Sequence, residues 1–185
     1  MNKAGAYVEQ ALSIDPDNPD AHRAAAGISL LRLEFEDAAI AARKAVKLGP
    51  SMADVLGFSA FVLTSCGQAA EAIGHAEKAM TLSPKHPAWN LGVLGNAYRL
   101  AHRRDAALRA LRGYHAREPG FGLGDILMIQ EQAGLTEEAR ATARQLVILR
   151  PSFTVASFTR TQFRSDSEQL AIDIASLRAA GVQEG

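Results

Sequence analysis

"EKAMTLSPKHPAW" (Glu77–Trp89) decides the fold, because the chain has already written nearly the same phrase twice. It appears as "EQALSIDPDNPDA" (Glu9–Ala21) and as "RKAVKLGPSMADV" (Arg43–Val55). The prolines closing these phrases set a spacing. Pro16, Pro50, Pro84, Pro119 and Pro151 lie 34, 34, 35 and 32 residues apart. Small residues keep step: Ala4, Ala38, Ala72, Ala107 and Ala139 each stand twelve residues before a proline. Ala11, Ala45 and Ala79 stand five before, where later units carry Tyr114 and Leu146. A period near 34 predicts one supersecondary unit, repeated and stacked.

Between the prolines the apolar spacing is helical. "PDAHRAAAGISLLRL" and "EDAAIAARKAVKL" carry apolar residues three and four apart, and no alternating strand pattern persists. Turns fall at "LEFED", "SCGQA", "AHRRD" and "AGLTE". Gly67 and Gly134 sit there, where a helix C-terminus accepts a left-handed residue. Pro19 and Pro87 read as first-turn residues, whose missing N–H costs little. The expected elements are a single leading helix near 2–14, then helix pairs near 20–48, 53–82, 88–116 and 122–149. The array spans 1–151, and a C-terminal capping segment spans 152–185. The leading helix reads as the second half of a repeat whose first half is missing, which predicts a chain cut from a longer protein; the alternative is a lone helix that caps the array.

These landmarks resemble the tetratricopeptide repeat (TPR) family. "LGNAY" (Leu94–Tyr98), Ala107 and Pro119 reproduce its L-G-x-x-Y, Ala and Pro positions. The first two full units keep both alanines and the proline. They hold Ala26 and Ala60 where the family prefers glycine, and Ser29 and Leu63 where it prefers tyrosine. The resemblance implies an all-α fold, a right-handed α-solenoid of helix-turn-helix repeats with C-terminal capping helices. It also implies a non-catalytic scaffold for protein–protein contact.

Totals narrow the function. Lys+Arg and Asp+Glu stand at 20 each, so the net charge of zero argues against a nucleic-acid partner. One cysteine, Cys66, forbids an internal disulfide and fits a cytoplasmic protein. No apolar run approaches the roughly 20 residues of a membrane span. Charge is uneven along the chain. Residues 1–37 hold seven acids and three bases, and residues 85–117 hold seven bases and one acid, Asp105. The expectation is a solvated face, or a contact with an acidic partner or a second copy.

The tail departs from the repeat. "SDSE" (Ser165–Glu168) has the capping-box pattern, and Leu170, Ile174 and Leu177 share one helical face ending at Gly181. Its last phrase, Leu177, Arg178, Ala180, Gly181 and Val182, resembles the C-terminus of bacterial class III adenylate/guanylate cyclases that carry a repeat array. Similar tails follow DNA-binding domains in some transcription regulators. This second resemblance implies an accessory region of a bacterial multidomain protein.

Chemistry is sparse. His22, His75, His86, His102 and His115 form no metal-ligand spacing, Cys66 has no base near it in sequence, and "GFGLG" (Gly120–Gly124) lacks the strand and the Lys-Ser/Thr of a phosphate loop. The reading is not an enzyme, with no cofactor and no metal. The family resemblance places the first helix of each pair along a concave groove. By repeat register the groove positions are Arg23 and Gly27, Phe61 and Thr64, Asn96 and Arg99, and Met128 and Glu131. Phe61 and Met128 are expected as apolar anchors, Asn96 as a backbone clamp and Arg99 as a carboxylate receptor. Arg23 and Asn96 fit the family's carboxylate clamp, and Gly27 and Phe61 break it.

Overall fold

Asn18 begins the first full repeat: its side chain accepts a hydrogen bond from Ala21 N at 2.9 Å, and Pro19 follows as the first helical residue. In the computed structural model, which describes residues 3–185, eleven helices follow in order. They are α1 (Lys3–Ile14), α2 (Pro19–Leu31), α3 (Phe35–Leu48), α4 (Ala53–Ser65), α5 (Ala69–Leu82), α6 (Trp89–Leu100), α7 (Arg104–Arg117), α8 (Leu123–Gln132), α9 (Thr136–Leu149), α10 (Val155–Arg160) and α11 (Ser167–Ala179). Among the described residues there is no strand, and no helix is long and apolar enough to cross a membrane.

The helices pack as successive antiparallel pairs, α2 with α3, α4 with α5, α6 with α7 and α8 with α9, and each pair stacks on the next. The alanines that keep the period make this possible. Ala38, Ala45, Ala72, Ala79, Ala107 and Ala139 are all fully buried, as are Ala26 and Ala60. Where the family landmark is a glycine, the reason is steric. A Cβ on Gly95 would stand 2.6 Å from Leu111 Cγ, so α6 meets α7 only because that atom is missing. Tyr114 has room at a site that is alanine in earlier repeats because Gly92 faces it; a Cβ there would lie 2.5 Å from its ring.

The four turns inside the pairs share one conformation. Leu33, Gly67, His102 and Gly134 all have left-handed φ, at 62°, 77°, 58° and 74°. Two are glycine and two are not, so two of the four repeats hold a strained residue at the same point.

The segment after Pro151 is where local sequence reading needs correction. The capping box lies at Thr154 and Ser157, which exchange side-chain and backbone hydrogen bonds at the start of α10. At α11 the N-cap is Asp166 rather than Ser165, its side chain accepting from Gln169 N at 2.8 Å. Pro87 lies before α6, which opens at Trp89. "GFGLG" forms the entry to α8. Gly120 and Gly122 are left-handed, and a Cβ on Gly122 would meet Leu111 O at 2.9 Å, so the turn is tight.

The tail joins the core of the last repeat. Val155, Phe158, Leu177, Ala180 and Val182 are buried with Leu111, Leu127, Met128 and Leu146, and Leu170 and Ile174 pack against them. The chain end returns to α10, where Val155 N and Ala156 N donate to Gln183 O and Glu184 O at 2.9 and 2.8 Å. α11 then packs on α8. The irregular link from Thr161 to Asp166 reaches back to α4. Ser165 N donates to Ser65 O at 3.0 Å, and Phe163 packs on the core of the second and third repeats.

Candidate concave groove and its internal occupant

Helices α2, α4, α6 and α8 present the groove positions named from the repeat register, and each side chain has a distinct fate. Arg23 bonds Asp20 at 3.0 Å and lies 5.6 Å from the centre of the Phe58 ring. Gly27 makes space for that ring, since a Cβ there would lie 3.1 Å from Phe58 Cζ. Phe61 is 37% exposed, with its ring centre 5.9 Å from that of Phe58. Arg23, Phe58 and Phe61 thus form one aromatic surface at the open end of the groove. Phe58 was not among the sequence-derived positions. It sits one turn before Phe61, which is the signal that finds it.

The other positions are covered. Thr64 is buried, its hydroxyl donating to Ala60 O at 2.7 Å. Met128 is fully buried in the core and offers no anchor to a partner. Glu131 accepts a long hydrogen bond from Thr136 at 3.4 Å on one oxygen, while its Oε2 is buried without a partner.

Arg99 receives a carboxylate, as its type suggests, but the carboxylate belongs to the same chain. Its Nη1 and Nη2 donate to Asp173 Oδ1 and Oδ2 at 2.7 and 2.9 Å, and Nη2 also donates to Asn96 Oδ1 at 3.1 Å. Arg164 donates to Asp173 Oδ2 at 2.5 Å, and Gln132 and Gln169 donate to Oδ1 at 3.2 and 3.0 Å. Asp173 is fully buried. Burial pushes its carboxyl up, but the Arg99 charge and hydrogen bonds, with Arg164, outweigh this and hold it below the usual range. Asp125 answers differently. Arg99 Nε lies 3.4 Å from Asp125 Oδ1, a charge contact in which Nε makes no hydrogen bond. Burial pushes the Asp125 carboxyl up, and the charges of Arg99 and Arg164 offset this only in part.

Two arginines and two aspartates therefore form a neutral cluster that ties the tail across the groove of the later repeats. Asp173 and Arg99 are 74 residues apart, so no local pattern in the sequence signals their meeting.

What stays open is a trough with the array on one side and the tail on the other. One cleft of about 170 Å³ runs from Phe61 past Asn96 to Asp125. A second, of about 300 Å³, runs from Asp125 to Tyr114 and Phe121. Phe158, Thr161 and Gln162 line both. Among the described residues, no three His, Cys, Asp or Glu side chains gather as a metal site. Cys66 is half-buried, with burial pushing its thiol up and the Arg43 charge opposing.

No family model matches the chain, and no curated protein matches it. Solved structures do. PilW, a type IV pilus biogenesis factor, superposes with a TM-score of 0.75 over 96% of this chain and 80% of its own, at 19% identity. TTC0263, a TPR protein of Thermus thermophilus, gives 0.63 over 91% and 86%, at 20% identity. YrrB, described as a TPR protein with an unusual peptide-binding site, gives 0.61 over 94% and 90%, at 16% identity. Together with the 34-residue landmarks and the stacked pairs, this likeness shows the fold: the chain is a tetratricopeptide-type helical solenoid.

Proposed function

We propose that this chain is a non-catalytic protein–protein interaction scaffold that holds an extended peptide or protein segment in its concave groove. The observation that carries the reading is the open trough itself. It runs from the Arg23–Phe58–Phe61 surface, past Asn96, to Asp125. Exposed aromatic side chains beside accessible amide and carboxylate groups suit a segment with apolar anchors and a backbone needing partners. Asn96 uses its Oδ1 on Arg99, which leaves its amide N–H groups for a partner. The test is selection from a displayed library of random peptides. Recovered peptides should lose binding to Phe61→Ala and Arg23→Glu. Binding unchanged by both variants refutes the groove as the site.

A second reading rests on charge. Arg103, Arg104, Arg109 and Arg112 are exposed, and among the described residues none has an acidic group within 4.0 Å. The acid-rich first 37 residues supply a complementary surface on another copy. Light scattering across concentration and salt tests it: a dimer weakened by salt and by Arg109→Glu supports pairing, and a constant monomer refutes it. The cyclase-like tail phrase supports placing the chain as an accessory region of a bacterial multidomain protein, where pairing would bring attached domains together. In this molecule that phrase has a structural task, since Leu177, Ala180 and Val182 are buried against the last repeat.

A further inference from the structure

The two clefts of the trough share four lining residues, Asp125, Phe158, Thr161 and Gln162, and Asp125 is the charged one among them. It stands in the first turn of α8 and is one of the two carboxylates in the buried charge cluster. The other, Asp173, is saturated by Arg99, Arg164, Gln132 and Gln169. Among the described residues no hydrogen bond reaches the Asp125 carboxylate, which is in charge contact with Arg99 Nε at 3.4 Å and whose side chain is 27% exposed. One member of a neutral four-charge cluster thus faces the trough with carboxylate oxygens open to a partner.

We propose that the trough recognises an extended peptide through one lysine or arginine, whose cationic head meets Asp125. This rests on the groove reading and specifies the chemistry of its partner. The surroundings suit such a side chain. Tyr114 and Phe121, with ring centres 5.6 Å apart, line the wider cleft beside Phe153 and Phe158, and they offer apolar contact to a long alkyl stem. The four-charge cluster is neutral before binding, so the cation nearest the path of a bound lysine is Arg150, which is held over the Phe121 and Phe153 rings. Within the cluster an acidic side chain would compete with Asp173 for both guanidinium groups. Arg150, held 4.2 Å from the Phe121 ring centre, stands at the far rim and can donate to peptide carbonyls on either side of the basic residue.

The test uses the full chain and peptides recovered from a displayed random library. The expected result is a shared Lys or Arg at one position. Replacing that lysine by norleucine, which keeps the stem and removes the charge, should weaken binding about tenfold, the scale of a single charge-assisted hydrogen bond. Asp125→Asn should lose about the same factor for the lysine peptide and nothing for the norleucine peptide, so the two changes are not additive. Gln162→Glu, which adds a carboxylate to the shared wall without touching the charge cluster, should tighten the lysine peptide. Peptides without a basic preference, or equal losses for both peptides on Asp125→Asn, overturn this assignment and leave the groove reading intact. Recovery of no peptide at all overturns both.

Discussion

Replacing Asp173 by asparagine tests how the tail is held. The carboxylate is fully buried and accepts from four side chains. Asparagine keeps the shape but removes the charge, and it turns one acceptor oxygen into a donor facing other donors. Arg99 keeps Asp125 as a partner, whereas Arg164 is left without a hydrogen-bonded carboxylate in a site where its side chain is only 6% exposed. Removing one partner of a buried ion pair costs about 3–5 kcal/mol, because the remaining charge stays desolvated. For a chain of this size each kcal/mol moves the melting temperature about 2–4 °C, so a drop of roughly 6–20 °C is expected. Thermal unfolding followed by circular dichroism measures it. Hydrogen exchange locates it: protection should fall first in α11 and in the Thr161–Asp166 link, with α1 unchanged. A melting temperature within a degree or two of the parent refutes the clamp as a stabilising device.

The sign of the pH dependence sharpens this test. The Asp173 carboxyl is held below its ordinary range, so its stabilisation is present above the unfolded value of about 3.9 and is lost as pH falls through its folded value. The gap between parent and Asp173→Asn should therefore close in acid. Asp125 runs the other way. Its carboxyl is raised, so its contribution is present below the unfolded value and is lost as pH rises through the folded value. Asp125→Asn should cost little or nothing at neutral pH and lose ground only in acid. If the two variants respond to pH alike, the assignment of opposite roles within the cluster is wrong.

Three further outcomes follow from the repeat geometry. Leu33→Gly and His102→Gly should each stabilise by about 0.5–1 kcal/mol, because both residues sit at left-handed φ and are exposed, and chemical denaturation reads the change. A loss instead would show that the turn side chains contribute more than their backbone strain costs. Ala72→Arg should destabilise by about 4 kcal/mol or more, since it forces a charge into a fully buried contact, and an unchanged melting temperature would misplace that residue.

The fold was legible because a solenoid writes its contacts locally. Each repeat meets only its neighbours, so the alanines that let helices approach recur at one spacing, and that spacing is visible without a structure. Departures were legible only as departures: Tyr114 visibly breaks the small-residue rule, but that Gly92 makes room for it on the facing helix shows only in the structure. The site was less legible for the opposite reason. Register places Arg23, Phe61 and Asn96 on the groove but cannot report what lies over it. Arg99 and Met128 share that register and are both buried, one by a distant aspartate and the other by the core. Asp173 itself looked like an ordinary polar residue between Ile172 and Ile174.

The tail could be taken for a displaceable occupant that yields to a partner. Magnitudes argue against this. Lifting it would expose Val155, Phe158, Leu177 and Val182, at about 1.5–3 kcal/mol each, or on the order of 6–12 kcal/mol together. It would also break the two hydrogen bonds that Arg99 donates to Asp173. A partner bound at about 1 μM gains roughly 8 kcal/mol in all. Displacement would consume that gain, so an ordinary peptide cannot both open the groove and bind it. The tail is then best understood as a fixed wall. It closes the end of the array, covers positions that other register sites leave open, and contributes Phe158, Thr161 and Gln162 to the surface a partner meets. On this account, changes to those three residues should alter which peptides bind, and those at Gln162 and Thr161 should shift stability by no more than about 1 kcal/mol. A truncated array lacking the tail should bind the same peptides worse, not better.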